Sequence, residues 1–363
     1  MNSYFRIDMF RFRLFILAGF AVASLAVNAQ LKYYDAYGFP LYGKISDQTE
    51  TRYERLPAHI KSSTRTPVWN LGKNTAGLYI RFASNTSSVS LKWSLYENRI
   101  MNHMTATGIK GFDLYCYRNN KWEFVNSARP KADSMDNEAT IVANMDTETK
   151  EFLLYLPLYD GVTSLQIGVD STAVLLGSEQ NLFGNNKPVI CYGTSILQGG
   201  CASRPGMAHT NILSRWLKTE FINLGFSGNG QLDYEIAEII AEKEASLIIL
   251  DFMPNVNVAQ IEEKMEKFYD IVRKKSPNVP ILFIENPIFP QGHFDLHMQN
   301  VVKEKNIALN RIFAKLQSKG DKNIRLTPSA GMIGVDGEAT IDGIHFTDLG
   351  FMRYAEYLYP IIN

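Results

Sequence analysis

The chain reads as two domains of different fold class, an antiparallel β-sandwich over residues 30–183 and an α/β domain with a parallel sheet over residues 184–363. Three observations predict this. Between residues 30 and 183 apolar side chains recur at every second position, the repeat of a strand with one buried face. Beyond Pro188 short apolar runs alternate with stretches of helical period, the pattern of a parallel sheet covered on both faces. At 363 residues the chain is about twice the usual length of a domain, with ordinary apolar and charged fractions.

The elements follow in order. Val89, Leu91, Trp93 and Leu95 alternate with Ser and Lys; Phe112, Leu114 and Cys116 alternate with Asp113, Tyr115 and Tyr117; Phe152, Leu154 and Leu156 continue the pattern. Turn residues at Asn85 to Ser88, Asn119-Asn120 and Asp160-Gly161 separate these strands. Phe183 to Lys187, with Gly184-Asn185-Asn186, reads as the linker. In the second domain strands are expected at Val189 to Tyr192, Phe221 to Leu224, Leu247 to Phe252 and Ile281 to Ile284. Helices are expected over about 208–219, 232–244, 258–275 and 296–319, and from Asp348 onward. In the last of these Phe351, Tyr354, Ala355 and Leu358 share one face, and Thr347 or Asp348 caps it.

The first 29 residues read as a secretory signal. Arg6, Arg11 and Arg13 flank an apolar run from Leu14 to Val27, and Val27-Asn28-Ala29 supplies small residues for cleavage after Ala29. The run is short for a membrane span, so export without stable membrane insertion is the expectation, in the periplasm or outside the cell. Lys plus Arg equal Asp plus Glu at 37 each, which leaves no electrostatic footprint for nucleic acid. Cys116, Cys191 and Cys201 are an odd set. A bridge between Cys191 and Cys201 is conceivable, but buried free thiols are the commoner arrangement.

Two short segments carry the chemistry, Gly193-Thr194-Ser195-Ile196 after the first strand of the second domain and Asp342-Gly343-Ile344-His345 before the last helix. A serine hydroxyl becomes a nucleophile when an imidazole takes its proton and a carboxylate fixes that imidazole. Ser195, His345 and Asp342 are the candidates for these roles. Gly193 allows the tight exit from the strand. Taken alone, each segment has a plainer explanation: Ser and Thr cap helices, and an Asp and a His three apart form a turn. A tetrahedral intermediate also needs hydrogen-bond donors. The N–H of Ser195, the N–H of Gly228 after the second strand and the amide of Asn255 after the third could supply them. In parallel sheets ligands collect at these strand ends.

The four blocks with Ser195, Gly228, Asn255 and Asp342-x-x-His345 resemble those of the SGNH or GDSL hydrolases, over roughly residues 187–363. The stretches Gly193 to Gly199 and Cys201 to Met207 resemble a bacterial branch whose N-terminal β domain is named for a Gly-x-Asp-Leu-Tyr motif, matched by Gly111-Phe112-Asp113-Leu114-Tyr115. The resemblance implies a flavodoxin-like, three-layer α/β/α hydrolase domain behind a jelly-roll-like sandwich, and an esterase that needs no metal or organic cofactor. Thr194 stands where the wider family has Asp, and Phe252 to Val256 lacks that family's Gly and Asp, as a variation of the branch.

The expected substrate is an ester of acetyl or another short acyl group, on a carbohydrate or a small molecule. A lipid acylhydrolase and a carbohydrate-binding protein without activity are the alternatives. Arg204 and His209 either line the substrate site or pair with nearby carboxylates. His293 and His297 have the spacing of metal ligands on a helix, but Pro290 and Gly292 argue for a loop and no third ligand is evident. Asp336 competes with Asp342 as the acid but lacks the fixed spacing to His345.

Overall fold

The computed structural model describes residues 30–178, 183–184 and 186–363; the expected signal segment, residues 1–29, lies outside them. Ten strands come first: β1 (Leu31–Asp35), β2 (Leu41–Tyr42), β3 (Tyr79–Ser84), β4 (Val89–Leu95), β5 (Phe112–Arg118), β6 (Lys121–Ala128), β7 (Asp136–Val142), β8 (Lys150–Tyr155), β9 (Val162–Asp170) and β10 (Leu175–Gly177). They pair antiparallel in a four-stranded sheet, β1-β9-β4-β7, and a six-stranded sheet, β10-β3-β8-β5-β6 with β2 beside β3. The alternating residues of β4, β5 and β8 face each other between the sheets: Leu91 and Trp93 meet Phe112, Leu114, Phe152 and Leu154. Trp93 and Phe112 join the two layers edge to face, ring centroids 5.3 Å apart, an arrangement that adds about 1 kcal/mol beyond the buried area.

The single buried face expected for these strands needs correction. Tyr79, Tyr115, Leu153 and Tyr155 point the other way, yet they are buried in a second cluster with Trp122 and Phe183. The α/β domain covers this outer face: the Tyr155 hydroxyl donates to the Asn211 carbonyl at 3.2 Å, and the Arg215 guanidinium lies 4.2 Å from the Tyr115 ring centre. Phe183, expected in the linker, stacks on Tyr79 at 5.5 Å and anchors the crossing.

Two short helices, α1 (Thr66–Leu71) and α2 (Ala106–Lys110), interrupt the strands. Pro67 starts α1 and the Thr105 side chain caps α2. Val68, Trp69 and Leu71 of α1 belong to the core of the α/β domain, not to the sandwich.

The second domain runs β11 (Val189–Gly193), α3 (Ser195–Gln198), α4 (His209–Leu217), β12 (Phe221–Gly225), α5 (Tyr234–Glu242), β13 (Leu247–Asp251), α6 (Val258–Lys275), β14 (Ile281–Ile284), α7 (Leu296–Ser318), β15 (Ile324–Thr327) and α8 (Asp348–Ile362). Its five strands are parallel in the order β12-β11-β13-β14-β15. That is the flavodoxin-like 2-1-3-4-5 order, in which the chain reverses its direction of travel at β11 and β13. Ile190 and Tyr192 face a core built with α5, α6 and α7, whereas Val189 and Cys191 face one built with α4 and α8. Strands buried on both faces have to be apolar throughout, as these are. The fifth strand was not expected from the sequence. It is a four-residue edge strand with exposed Arg325 in its middle, so the apolar run that marks its neighbours is missing. The short α3, one turn capped by Thr194 and ended by Gly199 at φ 100°, was also unforeseen.

Candidate active site

The sheet order brings the motif residues together. β12, β11 and β13 are adjacent, and neighbouring strands lie about 4.8 Å apart. Gly228, Ser195 and Asn255 therefore follow three side-by-side strand ends. Side chains would prevent this approach at several points. A Cβ on Gly193 would lie 2.3 Å from the Asp251 carbonyl oxygen, and one on Gly230 would lie 2.4 Å from that of Gly193. Gly228 has φ +68°, in the left-handed region, with open space around it.

Ser195 is the first residue of α3 and 6% exposed. Its Oγ lies 2.9 Å from His345 Nε2, and His345 Nδ1 lies 2.7 Å from Asp342 Oδ2. The other Asp342 oxygen accepts from the backbone N–H of His345 at 2.8 Å and of Ile344 at 3.0 Å. This turn is what the Asp-x-x-His spacing builds: one carboxylate holds both the ring and the backbone of the same histidine. Burial pushes the Asp342 carboxyl up, but the hydrogen bonds from the His345 ring and from the two backbone N–H groups outweigh it and hold the pKa below its ordinary value. The carboxylate stays ionised and fixes the His345 proton on Nδ1, leaving the Nε2 lone pair toward Ser195.

Asn255 Oδ1 accepts from the Gly230 N–H at 3.1 Å. That bond orients the amide and leaves its Nδ2 donor unspent. The turn that carries Ser195 and the loop after β12 are tied together by Phe226 N–H to the Gly193 carbonyl at 3.0 Å and Ser227 N–H to Gln198 Oε1 at 3.0 Å. The α8 cap is Thr347, whose hydroxyl accepts from Gly350 N–H at 3.2 Å. Asp348 instead holds the loop after the nucleophile, accepting from the N–H of Ser203 at 2.9 Å.

The other candidates sit elsewhere. Arg204 donates to Asp113 Oδ2 and to the Tyr115 hydroxyl, each at 2.7 Å, and its guanidinium lies 3.7 Å from the centre of the Phe124 ring. Of its two readings, pairing with a carboxylate is the one seen, and the carboxylate belongs to the Gly-x-Asp-Leu-Tyr motif. His209 requires correction, because it neither lines the cleft nor pairs with a carboxylate. It is 2% exposed, stacked on Phe351 and edge-on to Tyr354, and burial pulls its pKa down to about 3. Asp336 is taken by Arg353, with two contacts of 2.7 Å. His293 ends a 3-10 turn and His297 lies in the first turn of α7, so they do not share one helix. The three cysteines are free and buried.

Sequence reasoning missed the contribution of the β domain. His103, in the loop after β4, lies beside the triad with its ring centre 5.5 Å from that of His345. The Tyr159 hydroxyl donates to the Ser195 carbonyl at 3.1 Å, and Gln198 Nε2 donates to Asn74 Oδ1 at 3.1 Å. No spacing within the sequence links these residues to the motifs.

A family model described as the GDSL-like Lipase/Acylhydrolase family matches residues 186–363, and one described as the N-terminus of the SGNH-hydrolase type of esterase matches residues 31–175. A crystal structure from Bacteroides ovatus, described as a GDSL-like lipase, is 37% identical, with a TM-score of 0.88 over 92% of this chain and 97% of that one. The chain belongs to the SGNH/GDSL hydrolase family. More remote solved structures share the fold of this SGNH/GDSL hydrolase. A salicylyl-acyltransferase from a tetracycline biosynthetic pathway is 16% identical, with a TM-score of 0.74 over 90% of this chain and 95% of its own. A family two carbohydrate esterase from Clostridium thermocellum, solved with cellohexaose, is 11% identical, with a TM-score of 0.57 over 79% and 92%. A comparison with curated proteins finds no match. Among the described residues no helix is long and apolar enough to cross a membrane.

Proposed function

We propose that this SGNH/GDSL hydrolase is an exported serine esterase that removes acetyl or another short acyl group from a carbohydrate. The observation that carries the reading is the hydrogen-bonded series Ser195, His345, Asp342, with spacings of 2.9 and 2.7 Å. Ser195 Oγ attacks the ester carbonyl while His345 Nε2 takes its proton. The oxyanion is met by the N–H groups of Ser195 and Gly228 and by Asn255 Nδ2, each worth about 10² to 10³ in rate. The tetrahedral intermediate expels the alcohol, which leaves with the proton held on His345. Water, activated by the same imidazole, then releases the acid from the acyl-enzyme. Asp342 orients His345 and balances its charge. Residues 1–29 act as the export signal, 30–183 as the β domain and 184–363 as the hydrolase domain.

The carbohydrate is supported by that export reading and by the shared architecture with an esterase solved with cellohexaose. The alternative substrate, a long-chain acyl ester, requires an apolar acyl groove open to Ser195. The cavity of about 560 Å³ beyond β14 does not supply it: Ile288, Phe289, Met298 and Val302 share the lining with Glu285, Lys303, Asn306 and Asn310, and none of Ser195, Asp342 and His345 is part of it.

A fluorophosphonate probe tests the mechanism: labelling of the wild type and its loss in Ser195→Ala are expected. Equal p-nitrophenyl acetate turnover by the two proteins would refute it, and absence of labelling would favour a binding protein without activity. Acetate release from acetylated polysaccharide, measured against hydrolysis of long-chain esters, separates the two substrates.

A further inference from the structure

His103, Cys201 and His345 come from three separate segments, two in the hydrolase domain and one in the β domain. Each offers one ligating atom within 4.8 Å of those of the other two. Two imidazoles and a thiolate form a donor set that suits Zn²⁺. Both histidines already have the outer partner that a metal-bound imidazole needs. His345 Nδ1 is held by Asp342 at 2.7 Å and His103 Nδ1 by the Asn102 side-chain oxygen at 2.8 Å. With Nδ1–H donated to oxygen, Nε2 is the lone-pair nitrogen of each ring. Cys201 is free and buried, and its backbone sits at φ +73°, in the left-handed region. A residue other than glycine held there costs on the order of 1 kcal/mol or more, so the surrounding fold imposes the position of the thiol.

We propose that His103, Cys201 and His345 form a three-ligand site for Zn²⁺ whose occupation switches the enzyme off by taking His345 Nε2 away from Ser195. A tetrahedral ion with bonds of about 2.0 to 2.3 Å holds its ligand atoms roughly 3.5 Å apart. The site therefore contracts by about 1 Å, a movement within the reach of the half-exposed His103 side chain. On binding, the hexahydrated ion keeps one of its six waters and gives up the other five, the Cys201 thiol releases its proton to solvent, and the hydrogen bond between Ser195 and His345 is lost. A fourth position is left for water. The switch rests on His345 acting as the base for Ser195; the metal site does not.

Calorimetric titration of the full chain with ZnCl₂ tests the site, and fluorophosphonate labelling of Ser195 with and without Zn²⁺ tests the switch. One ion per chain is expected, with labelling slowed over the same Zn²⁺ range and restored by EDTA. Cys201→Ser and His103→Gln should each weaken binding at least about tenfold, with thermal melting used to show that both fold. With Co²⁺ in place of Zn²⁺, a thiolate charge-transfer band should appear in the wild type and be missing in Cys201→Ser. Absence of one-to-one binding, variant affinities within twofold of the wild type, or a cobalt complex without that band would overturn the site. Zinc binding with no slowing of labelling would overturn the switch. No labelling in any form, with zinc binding intact, would overturn the esterase reading instead.

Discussion

Replacing Asp113 by Asn tests whether the Gly-x-Asp-Leu-Tyr motif latches the β domain to the loop that follows the nucleophile. Asp113 is 0% exposed, and its carboxylate accepts from Arg204 Nη1 at 2.7 Å, Gly206 N–H at 2.8 Å and Ser127 Oγ at 2.6 Å. A Cβ on Gly206 would lie 2.2 Å from the Tyr115 hydroxyl and 2.8 Å from Asp113 Oδ2, so the loop closes over the motif only as glycine. Burial pushes the Asp113 carboxyl above its ordinary value despite help from Arg204, Ser127 and Gly206. The pair is thus a poor source of net stability, but its halves cannot be separated cheaply. Breaking a buried pair costs about 3 to 5 kcal/mol; partial exposure of the Arg204 side chain lowers the expectation for Asp113→Asn to about 2 to 4 kcal/mol. At roughly 2 to 4 °C per kcal/mol, the melting point should fall by about 4 to 16 °C. The double variant Asp113→Leu/Arg204→Met should recover much of the loss, because no unpaired charge remains. Fluorophosphonate labelling should slow in the single variant, since the loosened loop carries Ser203, the residue bound to Asp348. A single variant that melts within about 1 °C of the wild type and labels at its rate would refute the latch.

Three further outcomes follow from the geometry. Asp342→Asn keeps the shape of the turn but loses the charge and the tautomer control, so kcat on p-nitrophenyl acetate should fall about 10³- to 10⁴-fold with little change in KM; a fall below tenfold would remove Asp342 from the proposed triad. Asn255→Ala should lower kcat by about 10² to 10³, with stability lowered only by the lost bond from Gly230 N–H, about 1 kcal/mol; an unaltered kcat would mean that its amide does not meet the oxyanion. His209 is held neutral by burial, its pKa pulled from 6.5 down to about 3, so stability is complete above pH 6.5 and drains away as pH falls toward 3. That loss reaches about 3 kcal/mol by pH 4.5, and unfolding free energies from urea titrations at pH 7.5 and 4.5 should differ by that much more in the wild type than in His209→Leu; equal differences would exclude His209 as the acid-sensitive group.

The parallel sheet was legible because strands buried on both faces leave no choice but continuous apolar runs, as in Val189–Gly193 and Leu247–Asp251. The candidate site was legible because Ser195 follows a strand end and because Asp342 and His345, just ahead of the last helix, are linked through a local turn. Period-two alternation, however, shows which side chains share a face and says nothing of what covers the other. Tyr115 alternates with the apolar residues of its strand, and the packing of α4 and the loop before it against the six-stranded sheet buries it together with Tyr155. For the same reason Arg204 and His209 could not be placed, since their neighbours Asp113 and Phe351 are remote in sequence. Helix α1 is only six residues long, and the cluster that Val68, Trp69 and Leu71 join reaches residues more than a hundred positions away; so short a helix gives no period to detect.

What the β domain does for the site is clearest at two arginines. Arg55 is buried with no acid bonded to it. Its guanidinium donates to the carbonyls of Leu71 and Asn74 within its own domain and to those of Asn223 and Gly225 at the end of β12. Burial pulls its pKa down to about 9, so it remains charged at neutral pH, and the carbonyl dipoles, with the Phe226 ring 5.1 Å away, offset its desolvation. Arg65 pairs with Asp233 at 2.6 Å and holds the Asn229 side-chain oxygen at 3.0 Å and its carbonyl at 3.2 Å. Residues 226–233 thus hang between two arginines of the β domain, and they include Gly228, the proposed oxyanion donor. A loop with a glycine at φ +68° has little conformational preference of its own. An oxyanion site is effective only when its donors are fixed before the charge develops, and here the fixing comes from the first domain while the chemistry comes from the second. With His103 beside His345 and Tyr159 on the Ser195 carbonyl, the β domain is a structural part of the candidate active site and not a module attached beside it.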